Sequence, residues 1–198
     1  EVVTVDGRIY GIPERASSDN IENPLIFNYD LLLTLNLDVP ETLDELTNVL
    51  KEMTAYLGRP ALTFDRYTPL VHAISGAFGI YSFWQEYEVN GEKQVLFYMN
   101  APRYNESVAY MHSLYQAGYI DQEVPTLTAS DATTRFVNGF NASSQGAKAG
   151  VVAGSLWSVS AIVTGLQSNG IISANEASGT LDNHLYYVRS IKEKASDP

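Results

Sequence analysis

Short apolar runs that read as strands alternate along this chain with longer stretches of helical period, and this restricts the fold more than any other feature. Leu25 to Phe27 reads as a strand, followed by a leucine-rich helical segment over 30–35. Pro40 interrupts, and Thr42 and Glu45 then form a capping box, Ser/Thr at the cap and Glu three residues on. Leu43, Leu46, Leu50, Met53 and Leu57 recur at helical spacing over 43–56, and Gly58 stops that helix. Residues 61–64 return to strand character, and 69–81 look helical despite Gly76 and Gly79. A helix over 103–116 presents Tyr104, Val108, Met111, His112 and Tyr115 as one stripe and ends at Gly118. Another starts near Ser130 or Asp131 and includes Phe136 and Val137. Val151 to Ala153 reads as a buried strand, Trp157 to Leu166 as a helix, and His184 to Val188 as a last strand. Asp6-Gly7 and Asn90-Gly91, each between alternating apolar residues, predict two hairpins. The alternation predicts an α/β fold. No low-complexity linker divides the chain, so residues 1–198 are expected to form a single domain with a sizeable core.

Composition excludes several function classes. A formal net charge of −11 repels phosphate backbones, so no nucleic-acid partner is expected. The chain lacks the Lys/Arg clusters that seat proteins on anionic membranes, and it has no apolar run of the ~18–20 residues that cross a bilayer. Without cysteine it has no disulfide, thiolate metal site or Cys nucleophile. His72, His112 and His184 are scattered, with no H-x-x-x-H pair, so no metal is expected. Gly154-Ser155-Leu156-Trp157 lacks the second Gly of a G-x-S-x-G elbow, and no phosphate-binding glycine loop is present. Asp121 and Glu123 are close enough in sequence to suggest a glycosidase pair, but they sit in a turn after Gly118. No catalytic residues and no cofactor are therefore expected. Tyr 13 against Phe 7 leaves two readings open: surfaces that stack on sugar faces, or rings at the core edge with wet hydroxyls.

Four stretches, in order, resemble the extracellular solute-binding proteins of ABC transporters. The likeness is to family 1, the maltose-binding-protein-like type, in its Gram-positive lipoprotein branch. VDGRIYGIP, from Val5, resembles the crossover between the two lobes of that family. LIFNYDLLLTLNLDVPETLDEL, from Leu25, resembles the start of its second lobe. SVAYMHSLYQAGYIDQE, from Ser107, resembles a helix and the turn after it, and RFVNGFNASSQGAKAGVVAGSLW, from Arg135, resembles a strand-to-helix turn ending in Trp. Asn36-Leu37, Gln122 and Leu43 depart from the family's usual residues, and residues from 171 onward match nothing in it. The resemblance implies one lobe of a periplasmic-binding-protein-like type II fold, a mixed sheet flanked by helices. It further implies a second-lobe fragment of a longer receptor.

The same resemblance implies a function without bond chemistry: enclosure of a small solute, a carbohydrate or oligosaccharide, in an interlobe cleft. Its partners would be that solute and the transmembrane permease subunits. Its place would be the outer face of the cell membrane, held by a lipid on the full-length protein, or the periplasm. The alternative is a fragment or accessory domain of a carbohydrate-active enzyme, and a stand-alone interaction domain is a third. The ligand-binding residues implied are Trp157 and Ser155 at the strand-to-helix turn, Trp84 in YSFWQEY, Tyr10 on the crossover, Glu14 and Arg15 after Pro13, and Asn28 with Tyr29. Such residues suit sugars, because an aromatic ring stacks on C–H faces while carboxylates, amides and Arg take hydroxyls.

Overall fold

A computed structural model of the chain describes residues 4–5, 8–9, 24–66, 74–141, 144, 146, 148–154, 156–173, 184–188 and 191–193. The Asp6-Gly7 signal lies between β1 (Thr4–Val5) and β2 (Arg8–Ile9), which pair antiparallel with Thr4 opposite Ile9. The central sheet is built from β3 (Leu25–Asn28), β4 (Leu62–Thr63), β7 (Val151–Ala153) and β8 (Leu185–Val188), in the order β4-β7-β3-β8. β3 runs antiparallel to β7 and β8, whereas β4 runs parallel to β7, so the sheet is mixed.

Alternation along the strands makes two cores. Leu25, Phe27, Val151 and Ala153 point to one face, against α1 (Tyr29–Thr34), α2 (Leu43–Leu57) and Leu114 of α3 (Tyr104–Gln116). Ile26 and Val152 point to the other, against Phe136 of α4 (Ala129–Asn138) and Ile162 and Leu166 of α5 (Leu156–Ser168). Because both faces are covered, β3 and β7 read as continuous apolar runs rather than alternating ones. The expected α/β architecture, a mixed sheet flanked by helices, is thus observed.

Local signals place most helix ends. Thr42 accepts from the Glu45 amide while the Glu45 carboxylate accepts from the Thr42 amide, and Gly58 closes α2 in the left-handed region at φ 65°. α4 starts at Ala129, next to the expected Ser130, with Thr128 as its cap and Asp131 completing a second box. α3 differs from expectation. Its buried face is Ser107 and Leu114 with Tyr104, Tyr110 and Met111 packed beside them, while Val108, His112 and Tyr115 of the expected stripe are exposed. Ser107 is buried with its hydroxyl donating to the Tyr104 carbonyl within the helix. Tyr110 follows on the same face and donates to the Leu43 carbonyl at 2.9 Å, and burial pushes its phenol up to about 12. Of the helix expected over 69–81, residues 69–73 lie outside the described residues, and Ser75–Phe78 form a single 3-10 turn.

Asn90-Gly91 turns β5 (Trp84–Val89) into β6 (Glu92–Phe97), a separate two-stranded sheet. Tyr98 and Tyr104 seat it beside α3 through edge-on ring contacts. Among the described residues no helix is long and apolar enough to cross a membrane.

Candidate functional site

The central sheet has two unlike ends. At one end β3 finishes at Asn28, level with Gly150, whose carbonyl accepts from the Asn28 amide at 2.8 Å. At the other end β7 finishes at Ala153 and Gly154, β4 at Thr63, and β3 begins after Pro24, whose carbonyl accepts from the Gly154 amide at 3.3 Å. At this second end α5 begins at Leu156, two residues beyond Gly154. A strand end feeding a helix N-terminus offers free backbone N–H groups to a ligand oxygen.

The Gly154 end is braced from the side. The segment from Tyr119 to Asp121 extends the sheet beyond β4: the Leu62 amide donates to the Tyr119 carbonyl and the Asp121 amide to the Leu62 carbonyl, both at 2.9 Å. The Asp121 carboxylate is nearly buried. It accepts from Thr63 Oγ1 at 3.3 Å, from the Glu123 amide at 3.0 Å, and from the Arg135 guanidinium. Arg135 reaches Glu123 as well. Burial alone would lower the Arg135 pKa, but the hydrogen bonds to Glu123 and Asp121 outweigh it and raise it. Asp121 and Glu123, the candidate acid pair, are thereby committed to a cation that holds α4 against the sheet edge.

The expected ligand-binding residues are described only in part. Trp157 is the second residue of α5, beside the Gly154 end, but its side chain lies outside the described residues. Ser155, Tyr10, Glu14 and Arg15 also lie outside them. Trp84 opens β5 on the hairpin, its indole 65% exposed and 5.3 Å from the Phe97 ring. Asn28 and Tyr29 stand at the opposite end of the sheet from Gly154. Asn28 is buried and its Oδ1 accepts from the Leu31 amide at 3.0 Å, which caps α1 and accounts for that side chain structurally. Tyr29 is half-buried, its ring 6.1 Å from that of Tyr186. A cavity of about 330 Å³ opens at this end, lined by Asp30, Thr34, Tyr56, Phe140 and Lys148. Asp30 Oδ2 lies 2.9 Å from His184 Nδ1. The exit from β4, Phe64 to Arg66, leaves the sheet beside Gly154 and carries the charged pair Asp65-Arg66. Among the described residues no group of three or more acidic or histidine side chains could hold a metal ion.

No family model matches the sequence, and no curated protein matches it. Solved structures do. A chitin oligosaccharide binding protein superposes with a TM-score of 0.58 at 20% identity, covering 98% of this chain and 42% of its own. MalE3 of T. maritima with maltose bound gives 0.56 at 21%, covering 94% and 41%. An HMO-binding, ABC-transporter-associated solute-binding protein from Bifidobacterium longum infantis gives 0.55 at 19%, covering 90% and 35%. The chain therefore shares the fold of part of these solute-binding proteins and spans about two-fifths of their length.

Proposed function

We propose that residues 1–198 are the second lobe of a solute receptor of an ABC importer, and that the lobe contributes one wall of a carbohydrate-binding cleft. The observation that carries this reading is the asymmetry of coverage: nearly all of this chain is matched, against about two-fifths of each neighbour. One of two lobes would behave this way. The neighbours' names, a chitin oligosaccharide binding protein and a maltose-bound MalE3, support a sugar as the ligand class.

On this reading the ligand faces the Gly154 end, where the chain turns from β7 into α5. Trp157 stacks on a sugar face, Ser155 and the first α5 amides take hydroxyls, and Tyr10, Glu14 and Arg15 approach from the crossover. Trp84, on the hairpin, offers an exposed ring. The receptor works by population shift. Ligand contacts both lobes only in the closed form, so it binds that form better and draws the population toward it. The closed form docks on the permease, and the parent protein is held outside the membrane by a lipid. No bond in the solute is made or broken.

Titration of the chain with maltotriose, chitotriose and xylotriose tests this, with ¹⁵N chemical shifts as the readout. One lobe supplies part of the contacts, so binding in the millimolar range is expected, with shifts clustered at 62–66 and 151–160 and lost in Trp157→Ala. Absence of any response to all three sugars overturns the carbohydrate reading.

A further inference from the structure

We infer that the Thr63–Asp121–Arg135 network is a positioning device that fixes the 64–66 segment at the rim of the ligand site, and so sets affinity without touching ligand. This rests on the reading that sugar binds at the Gly154 end. Thr63 is the last residue of β4, fully buried, and its only side-chain polar atom is held by Asp121. The chain leaves the sheet immediately after it, level with Ala153 and Gly154. Three residues on, the Arg66 amide donates to the Leu127 carbonyl at 3.1 Å. The exit is thus held at two points, by a side chain at its root and by backbone beyond, and both anchors lie on the 121–127 segment. That segment is in turn fixed to α4 by Arg135, whose guanidinium engages Asp121 and Glu123 together. A planar fork between two carboxylates sets orientation as well as distance. Rotation of the Asp121 carboxylate would release the Thr63 hydroxyl and the Glu123 amide together, since both depend on it.

Thr63→Val and Asp121→Asn remove the latch at two places, and Thr63→Val does so at nearly constant volume. Leu46→Ala, in the α2 core away from this edge, serves as a control that lowers stability alone. Affinity for maltotriose, chitotriose and xylotriose is read at a temperature where each variant is fully folded by circular dichroism, and amide exchange is read at 64–66 and 151–153. Loss of one hydrogen bond of ordinary strength at a positioning site predicts about tenfold weaker binding. It should come with faster exchange at 64–66 and unchanged exchange at 151–153, while Leu46→Ala melts earlier but binds as the unaltered chain does. Equal weakening by Leu46→Ala, or unchanged exchange at 64–66 in both latch variants, overturns the proposal. If the unaltered chain binds none of the sugars, the carbohydrate reading and the affinity claim fall together. The exchange result then decides by itself whether the latch orders the rim.

Discussion

The two ends of the central sheet are held by different kinds of contact. At the Asn28 end the last residue of β3 bonds locally: the Asn28 side chain caps Leu31 three residues on, while Gly150 and His184 reach the same end from far along the chain. At the Gly154 end the last residue of β4 bonds across the chain: Thr63 and Asp121 are 58 residues apart, and Arg135 joins from a third element. Asn28 spends its side chain on the fold, which leaves that end to structure. At the other end the network lies at the root of the 64–66 segment, beside the turn from β7 into α5. On the proposed reading structure falls to one end and recognition to the other, and that division can be broken.

The largest effect is expected at Gly139, beside the Asn28 end. A Cβ there would sit 2.0 Å from the Ala149 carbonyl oxygen, a backbone atom that cannot swing away. Its φ is ordinary, so the cost is steric rather than conformational. Gly139→Ala should lower unfolding free energy by about 1–3 kcal/mol in urea titrations. Sugar affinity of the folded fraction should not change, and a loss of affinity in step with stability would mean the two ends are coupled. Next is Asn28→Ala. Loss of an N-cap costs about 1 kcal/mol. Binding again should be unaffected, and tenfold weaker binding would move the ligand to the Asn28 cavity.

Much of this was legible in the sequence, for physical reasons that differ by element. The Thr42 box, Gly58 and both Asx-Gly hairpins are local devices, in which the residues that decide the geometry lie within four positions of one another. The Thr128 box was equally local but carries Asp131 in place of Glu or Gln, so the pattern passed unseen. The buried face of α3 was misplaced because Ser107 is polar by composition yet buried by position. Only its tertiary contacts, and the Tyr110 hydroxyl on the Leu43 carbonyl, decide which way the helix turns. The sheet order and its two ends are long-range facts. Asn28 and Trp157 both adjoin a strand–helix junction in sequence, and nothing local says that β3 runs antiparallel to β7 and carries them to opposite ends.

A smaller effect is expected on the hairpin, which belongs to neither end. Trp84 is two-thirds exposed, so Trp84→Ala should change stability by no more than about 0.5 kcal/mol. Its effect on affinity is the informative quantity. Weaker sugar binding would join the hairpin to the Gly154 end as part of one surface. Unchanged binding, with Trp157→Ala inactive, would confine recognition to the sheet.

The smallest expected effect is acid sensitivity, and it also sorts the ends. The Asp131 carboxylate is held below its ordinary value, chiefly by the Thr128 hydroxyl, and Glu45 by the Glu41 amide ahead of its other partners. A carboxylate whose folded pKa is depressed lends stability above its unfolded pKa and loses it as pH falls through the folded value. Stability should therefore be flat from pH 7 to 5 and decline below the ordinary carboxylate values of 3.8 and 4.5, as α4 and α2 lose their first-turn caps. Asp131→Asn should melt earlier at pH 7 and show a shallower acid decline, read from thermal melts between pH 5 and 3. α4 carries Arg135 to the Gly154 edge, so loosening its first turn should raise amide exchange at 121–127 before it does so at Asn28 and Leu31. Exchange rising first at Asn28 would mean that the end with the locally capped strand is the weaker one, and the division between the two ends would fail.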